Sequence, residues 1–385
     1  MIEDWQAGGF GVYIHWPFCE AKCPYCDFNS YARKNINQNQ WLDGYLKEID
    51  RYAELLPNRA INSVFFGGGT PSLMDPAIVE KMISSILSHW SASNDIEITL
   101  EANPTSVEAD KFNAYADAGV NRISMGVQAL NDRDLKRLGR THSVKEAKQA
   151  FDIARRSFNR VSFDLIYARQ SQTLKDWQKE LRQALDMAVD HLSLYQLTIE
   201  QGTAFGDRYK RGKLPDLPDD DDAADMYQVT QDICAEAGLD AYEVSNYAKQ
   251  GAQSRHNLIY WQYGDYVGIG PGAHGRVTLA GQRYATDTWK SPEKWLASAK
   301  QGNGDKHKTA IAPLDQAAEY LMMGLRIAEG IDLSRYAGLA GEPLDNEAIT
   351  YLKDINMIEL RENRLTASEN GRPVLNSLIQ ELLPS

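Results

Sequence analysis

Short apolar runs and amphipathic stretches alternate along the first 200 residues. Runs at Phe10–Trp16, Asn62–Gly67, Glu97–Asn103, Arg122–Gln128, Arg160–Tyr167 and His191–Ile199 have the length and composition of strands. Between most of them stand stretches with helical periodicity: Trp41–Leu56, Ala77–His89, Val107–Ala118 and Leu174–Ala188. This βαβα rhythm predicts an α/β fold with a parallel sheet covered by helices. Six units are too few for an eight-stranded barrel, so the pattern fits both a partial (β/α)6 barrel and an open wound sheet.

Parity within the strands adds detail, because successive side chains point to opposite faces. Ile96, Ile98 and Leu100 oppose Glu97, Thr99 and Glu101. Ile123, Met125 and Val127 oppose Ser124, Gly126 and Gln128, and Val161, Phe163 and Leu165 oppose Ser162 and Asp164. The apolar face is expected to meet the helices and the other to point into the barrel. Glu101, Gln128 and Asp164 then stand near the C-terminal ends of three successive strands, where such folds place their sites.

Further on, Lys213–Asp222 is turn-rich and acidic, and its aspartates are expected to cap a helix over Ala223–Ala237. Tyr242–Gly275 is rich in glycine and aromatics, and helical patterns dominate from Pro313, with a short hairpin expected at Ile358–Leu365. The chain thus divides into a core barrel over 1–240, a connecting region over 241–312 and a small, mainly helical C-terminal domain over 313–385. A formal charge of −12 argues against general nucleic-acid binding. The N-terminus lacks the pattern of a secretory signal, and no stretch approaches the roughly 18 apolar residues of a membrane span. A cytoplasmic location is expected.

Three of the four cysteines, Cys19, Cys23 and Cys26, form a C-x3-C-x2-C loop directly after the first strand. Three thiolates on one loop can ligate three irons of a cubane cluster and leave the fourth iron open. The competing reading is structural zinc with His15 as fourth donor. Parity with Tyr13 points His15 into the barrel, and zinc loops usually pair two separated ligand pairs, so the residues favour iron–sulfur.

This cysteine spacing, with Tyr25 before the last cysteine and Gly67-Gly68-Gly69-Thr70-Pro71 after the second strand, resembles the radical S-adenosylmethionine (SAM) superfamily. The resemblance implies a [4Fe–4S] cluster whose open iron SAM chelates, and reductive cleavage of SAM to a 5′-deoxyadenosyl radical. YIHWPFC, FFGGGTP, LEANP, SMGVQ, LGR and FDLIY are similar to motifs of the coproporphyrinogen III oxidase-like branch, along nearly the whole chain. That similarity implies that Tyr13, Tyr25, Gly68, Gly69 and Thr70 contact SAM and that Glu101, Gln128, Arg140 and Asp164 complete the pocket. Glycines at 68 and 69 are expected to allow close backbone approach to the bound amino-acid group.

Within the branch two functions are implied: the oxygen-independent oxidase, and the HemW-type haem chaperones that bind haem and pass it to apo-haemoproteins. The oxidase resembles C-x3-C-x2-C-x-C, but Phe28 stands at the last cysteine position. The oxidase group also carries a longer extension before its first strand. His256-Asn257-Leu-Ile-Tyr260-Trp261 is similar to the HNxxYW motif of the chaperones. This makes His256 the candidate haem ligand, Tyr260 and Trp261 candidate porphyrin contacts, and His274 a second candidate ligand. The chaperone is favoured, no residue is assigned a catalytic role, and a homodimer is possible. One departure stands out: where much of the family reads Gly-Leu-Pro-Gly-Gln-Thr after FDLIY, this chain has Ala168-Arg169-Gln170-Ser171-Gln172-Thr173. The loss of two glycines and a proline is expected to stiffen or reshape that loop.

Overall fold

The computed structural model describes residues 3–383. Six parallel strands follow one another in the sheet in chain order: β1 (Phe10–Trp16), β2 (Ala60–Gly68), β3 (Ser91–Ala102), β4 (Arg122–Gln128), β5 (Arg160–Tyr167) and β6 (His191–Gln196). A doubly wound sheet would reverse direction beside its first strand. The consecutive order is that of a barrel, and the sheet keeps two free ends. A partial (β/α)6 barrel is therefore the architecture.

The two faces of the strands separate as their alternation predicts. Ile98, Leu100, Ile123, Met125, Val161, Phe163 and Leu165 are buried in one core with Tyr45, Ile49, Val79, Met82, Phe151 and Trp177 of the covering helices. The other face carries a buried polar layer. Arg160 Nη1 lies 2.6 Å from Glu97, Arg122 Nη2 donates to Ser162 Oγ at 2.8 Å, and Ser162 donates to Ser124 at 3.1 Å. Such groups tolerate burial because each finds a partner. Helix starts follow local chemistry: Ser143 with Glu146 and Thr173 with Asp176 form capping boxes, and Asp219 caps a helix whose first turn carries Asp220, Asp221 and Asp222. The helix expected over Val107–Ala118 is two short ones, Ser106–Ala109 and Phe112–Asp117.

Residues 241–312 are built into the same sheet. After β7 (Asp240–Ala241) and β8 (Asn246–Ala248), which extend the β6 edge, β9 (Asp265–Ile269) pairs in parallel with the free side of β1. An antiparallel meander of β10 (His274–Leu279), β11 (Gln282–Thr288) and β12 (Asp305–Ala310) follows. The helix Arg255–Trp261 is mounted on the inner face of the sheet: Glu97 Oε1 accepts from the backbone N–H groups of Arg255 at 3.1 Å and His256 at 3.4 Å.

From Pro313 a second hydrophobic core gathers Leu321, Leu325, Ile331, Tyr336, Leu352, Leu365 and Leu378 from short helices and a three-stranded sheet. It includes the expected hairpin, Ile358–Arg361 with Arg364–Ala367. Arg335 ties this unit to the barrel through Asp4, at 2.7 and 2.9 Å, and the Tyr263 carbonyl at 3.1 Å. Among the described residues no helix is long and apolar enough to cross a membrane.

Candidate cluster and cofactor site

The cysteine loop leaves β1 and is closed by pairing of Phe18–Cys19 with Tyr31–Ala32. Cys19 is buried, and Cys23 and Cys26 are half-buried. Burial pushes the Cys19 and Cys26 thiols up, against hydrogen bonds with Thr70 at Cys19 and with Ser30 at both. Arg140 donates from Nη1 to Cys23 Sγ at 3.3 Å and from Nη2 to Asn103 Oδ1 at 2.5 Å; Asn103 in turn donates to Thr70 at 3.3 Å. A polar chain, Thr70–Asn103–Arg140, thus runs beneath the loop from Cys19 to Cys23. Tyr25 lies against the same guanidinium, and burial raises its phenol. Gly139 passes under Pro24, where a Cβ would sit 2.6 Å from the proline ring.

His15 is not available to these thiols. Its Nδ1 lies 2.9 Å from the Tyr13 hydroxyl and its Nε2 3.0 Å from the Asn29 carbonyl. Nε2–H therefore donates, Nδ1 accepts, and burial lowers its pKa to about 4. The zinc reading loses its fourth donor. Three thiols on one short loop, close enough for their charges to act on one another and with a guanidinium at one of them, are a donor set that suits the three-thiolate side of a cubane cluster. Buried Arg140 Nε has no hydrogen-bond partner, and that open donor beside the loop fits the carboxylate of an amino-acid ligand.

The glycine loop also serves the packing of the chain itself. A Cβ on Gly69 would lie 2.7 Å from the Phe18 carbonyl oxygen, and one on Gly68, at φ +112°, 2.6 Å from the His15 ring. These glycines let the loop close on the strand that carries Cys19. Gly68 N–H also donates to Glu101 Oε2 at 3.1 Å. Glu101 is pushed up to about 8, first by burial and then by the charge of Asp164. Asp164 is pushed up to about 6 by burial, opposed by hydrogen bonding to Ser193 and by the Arg122 and Arg140 cations. Tyr13, Gly68 and Glu101 line a cavity of about 260 Å³ with His15, Phe28, Tyr260 and His274. Gln128, at φ +72°, turns its amide toward Gly126 beside Arg140.

His256 sits behind this cavity. It is 4% exposed, stacked on Phe65 at 4.3 Å between ring centroids and edge-on to Tyr260 at 4.8 Å. Nδ1 lies 3.3 Å from Ser63 Oγ, and burial lowers the imidazole pKa to about 3. Asn257 points elsewhere, to the Tyr242 hydroxyl at 3.2 Å, and Trp261 is half-buried at the helix end. His274 is exposed at the cavity mouth. Asn103, Arg122 and Tyr266, which also lines the cavity, belong to the site without having stood out in the sequence. Asn103 stands two residues beyond Glu101 in LEANP, and that motif was its only signal. The divergent loop keeps a tight turn without glycine: Ala168 and Ser171 adopt φ +55° and +59°.

Residues 13–184 match the radical SAM superfamily, and residues 311–374 match the HemN C-terminal domain. The haem chaperone HemW of Haemophilus influenzae is 37% identical, with 97% of each chain covered, and that of Escherichia coli K12 is 38% identical over the same shares. Radical S-adenosyl methionine domain-containing protein 1, mitochondrial, of Bos taurus is 38% identical over 97% of this chain and 87% of its own. Among solved structures, coproporphyrinogen III oxidase (HemN) from Escherichia coli, a radical SAM enzyme, shares the fold with a TM-score of 0.81 over 98% of this chain and 92% of its own, at 20% identity. The chain belongs to the radical SAM superfamily, in the family that includes the haem chaperone HemW and radical S-adenosyl methionine domain-containing protein 1.

Proposed function

We propose that this chain is a cytoplasmic haem chaperone that holds a [4Fe–4S] cluster and SAM, binds haem, and passes it to apo-haemoproteins. The observation that carries this reading is the match to proteins named haem chaperone over 97% of both chains, at 37–38% identity. The likeness to the oxidase, at 20% identity, is one of fold. Phe28, 55% exposed at the cavity mouth, stands where the oxidase group has its last cysteine.

In this reading Cys19, Cys23 and Cys26 hold the cluster, which supplies a redox centre with one iron open to SAM. Arg140 and Tyr25 steady the loop. Tyr13, Gly68, Gly69, Thr70, Glu101, Gln128 and Asp164 surround SAM. His256 is the proposed haem ligand. Ser63 orients its Nδ1, and the low pKa keeps the ring neutral, as an axial ligand must be. Asn257 anchors the helix, Tyr260 lies edge-on to the imidazole and lines the cavity, and Trp261 is a proposed porphyrin contact at the helix end.

Anaerobic reconstitution followed by haem titration tests the function. Stoichiometric haem binding with no decarboxylation of coproporphyrinogen III under reducing SAM conditions is the expected outcome; turnover with no haem binding would make the chain an oxidase. A Cys23→Ala/Cys26→Ala variant is expected to lose cluster iron and its brown colour, measured by iron assay and absorption. A His256→Ala variant is expected to bind haem more weakly with a shifted Soret band. An unchanged spectrum and affinity would remove His256 as ligand and leave His274 in that role.

A further inference from the structure

The cavity, at about 260 Å³, is smaller than the roughly 300–1,000 Å³ of pockets that enclose drug-sized ligands. A haem macrocycle that enters it must leave one edge outside, and the carboxylate-bearing edge is the one water favours. The chemistry of the mouth decides what that edge meets. Phe28 offers an exposed apolar wall there. The backbone of Trp289 and Lys290 is stitched to the same rim: Gly272 N–H donates to the Trp289 carbonyl at 3.1 Å, and the Lys290 carbonyl accepts from Asn29 at 2.9 Å and from the Tyr31 hydroxyl at 3.1 Å.

Trp289 brings two more cations to this place. Lys294 Nζ and Lys306 Nζ lie 5.6 and 5.7 Å from its ring centroid, and Lys290, Lys294 and Lys306 are all exposed. Two of the nearby acids are paired with arginines, and the third, Asp287, lies against histidines and stays a local negative charge. Glu293 pairs with Arg33, Asp287 lies 2.9 Å from His307, and Asp305 is held by Tyr52 at 2.7 Å and Arg51 at 3.0 Å. Lys294 and Lys306 at the ring, with Lys290 next to it in the chain, bring three cations together on a chain of net charge −12. Burial lowers the His274 pKa, Asp287 opposes that, and Arg276 and Lys290 add to it, so Lys290 acts near the cavity mouth. An apolar wall, a cavity that leaves one edge outside and an ammonium cluster beside the mouth suit a flat apolar ligand with carboxylates along one side.

We propose that Lys290, Lys294 and Lys306, gathered around Trp289, seat the two propionates of haem at the cavity mouth. This rests on the haem-chaperone reading and deepens it. The test titrates ferric haem, and separately haem dimethyl ester, into the reconstituted full chain and a Lys290→Glu/Lys294→Glu/Lys306→Glu variant. The variant is expected to bind haem about tenfold or more weakly, with the gap closing at high salt, while the ester binds both proteins alike. A milder Lys290→Gln/Lys294→Gln/Lys306→Gln variant is expected to fall between. If both variants bind haem as tightly as the original chain, or if the ester is discriminated as strongly as haem, the seat is overturned and the chaperone reading stands. If the original chain binds no haem, both fall.

Discussion

Replacing Arg169 with leucine is expected to destabilise the barrel by about 3–5 kcal/mol, because it strands two buried carboxylates. Arg169 is 3% exposed; its Nη2 lies 3.1 Å from Asp134 Oδ2 and pairs with Glu180. Asp134 and Glu180 are themselves buried, and Glu180 also accepts from the Leu130 N–H at 2.5 Å and from Gln172 at 3.2 Å. Without the guanidinium, Asp134 keeps only Arg133 at 3.2 Å and Arg137 at 3.8 Å as cations, both on exposed side chains, and Glu180 keeps two neutral donors. Chemical denaturation reads the loss directly; a change under 1 kcal/mol would show that water reaches and solvates these acids.

The same loop supplies a comparison of opposite sign. Ala168 and Ser171 hold left-handed backbone, which costs an L-residue about 1–2 kcal/mol, partly offset by the greater unfolded-state freedom of glycine. Glycine at either position is therefore expected to be neutral or mildly stabilising. The buried Arg169 cluster explains how the turn persists after its glycines are gone: tertiary ion pairs fix a backbone shape that local chemistry alone would not choose.

Much of this molecule is legible in residue order, for reasons that differ by place. Alternation in β3, β4 and β5 places Glu101 and Asp164 inside the barrel, since a half-apolar strand has only one way to face a helical layer. The cysteine loop is legible because ligand spacing is a local property. The strands β9 to β12 are not, since their glycines and aromatics follow no clear period, and β9 is defined by pairing with β1, some 250 residues earlier in the chain. The burial of His256 is equally hidden: the six-residue motif gives its chemistry, but its place inside the barrel comes from Glu97, which lies 159 residues away and anchors the helix start. Likewise, Gly68 and Gly69 read as room for a ligand, and their second use, making room for His15 of β1 and for Phe18, shows only in three dimensions.

Glu101→Gln is expected to make the cluster-free and SAM-free chain more stable than the original at pH 8, but not at pH 5. Glutamine keeps the shape and can still accept the Gly68 N–H bond. The carboxyl, pushed up to about 8 by burial and by Asp164, binds its proton more tightly in the folded state than in the unfolded chain, where the usual value near 4.5 applies. Between those values the folded state holds the extra proton, so this group's contribution is fully present below about 4.5 and is lost as pH rises through 8. Asp164, pushed up to about 6, acts in the same direction over a lower window and is common to both proteins. The stability difference between variant and original should therefore grow by about 3–5 kcal/mol from pH 5 to pH 8, read by urea denaturation at each pH. A flat difference would mean that Glu101 ionises normally and that the barrel interior is wetter than its side chains suggest. A positive ligand seated beside Glu101 reverses the preference: it draws the carboxyl into its ionised form and expels the proton. SAM carries such a charge in its sulfonium group. Its binding to the original chain near pH 7 is accordingly expected to release a proton that the Glu101→Gln variant does not release, measurable as a buffer-dependent binding enthalpy.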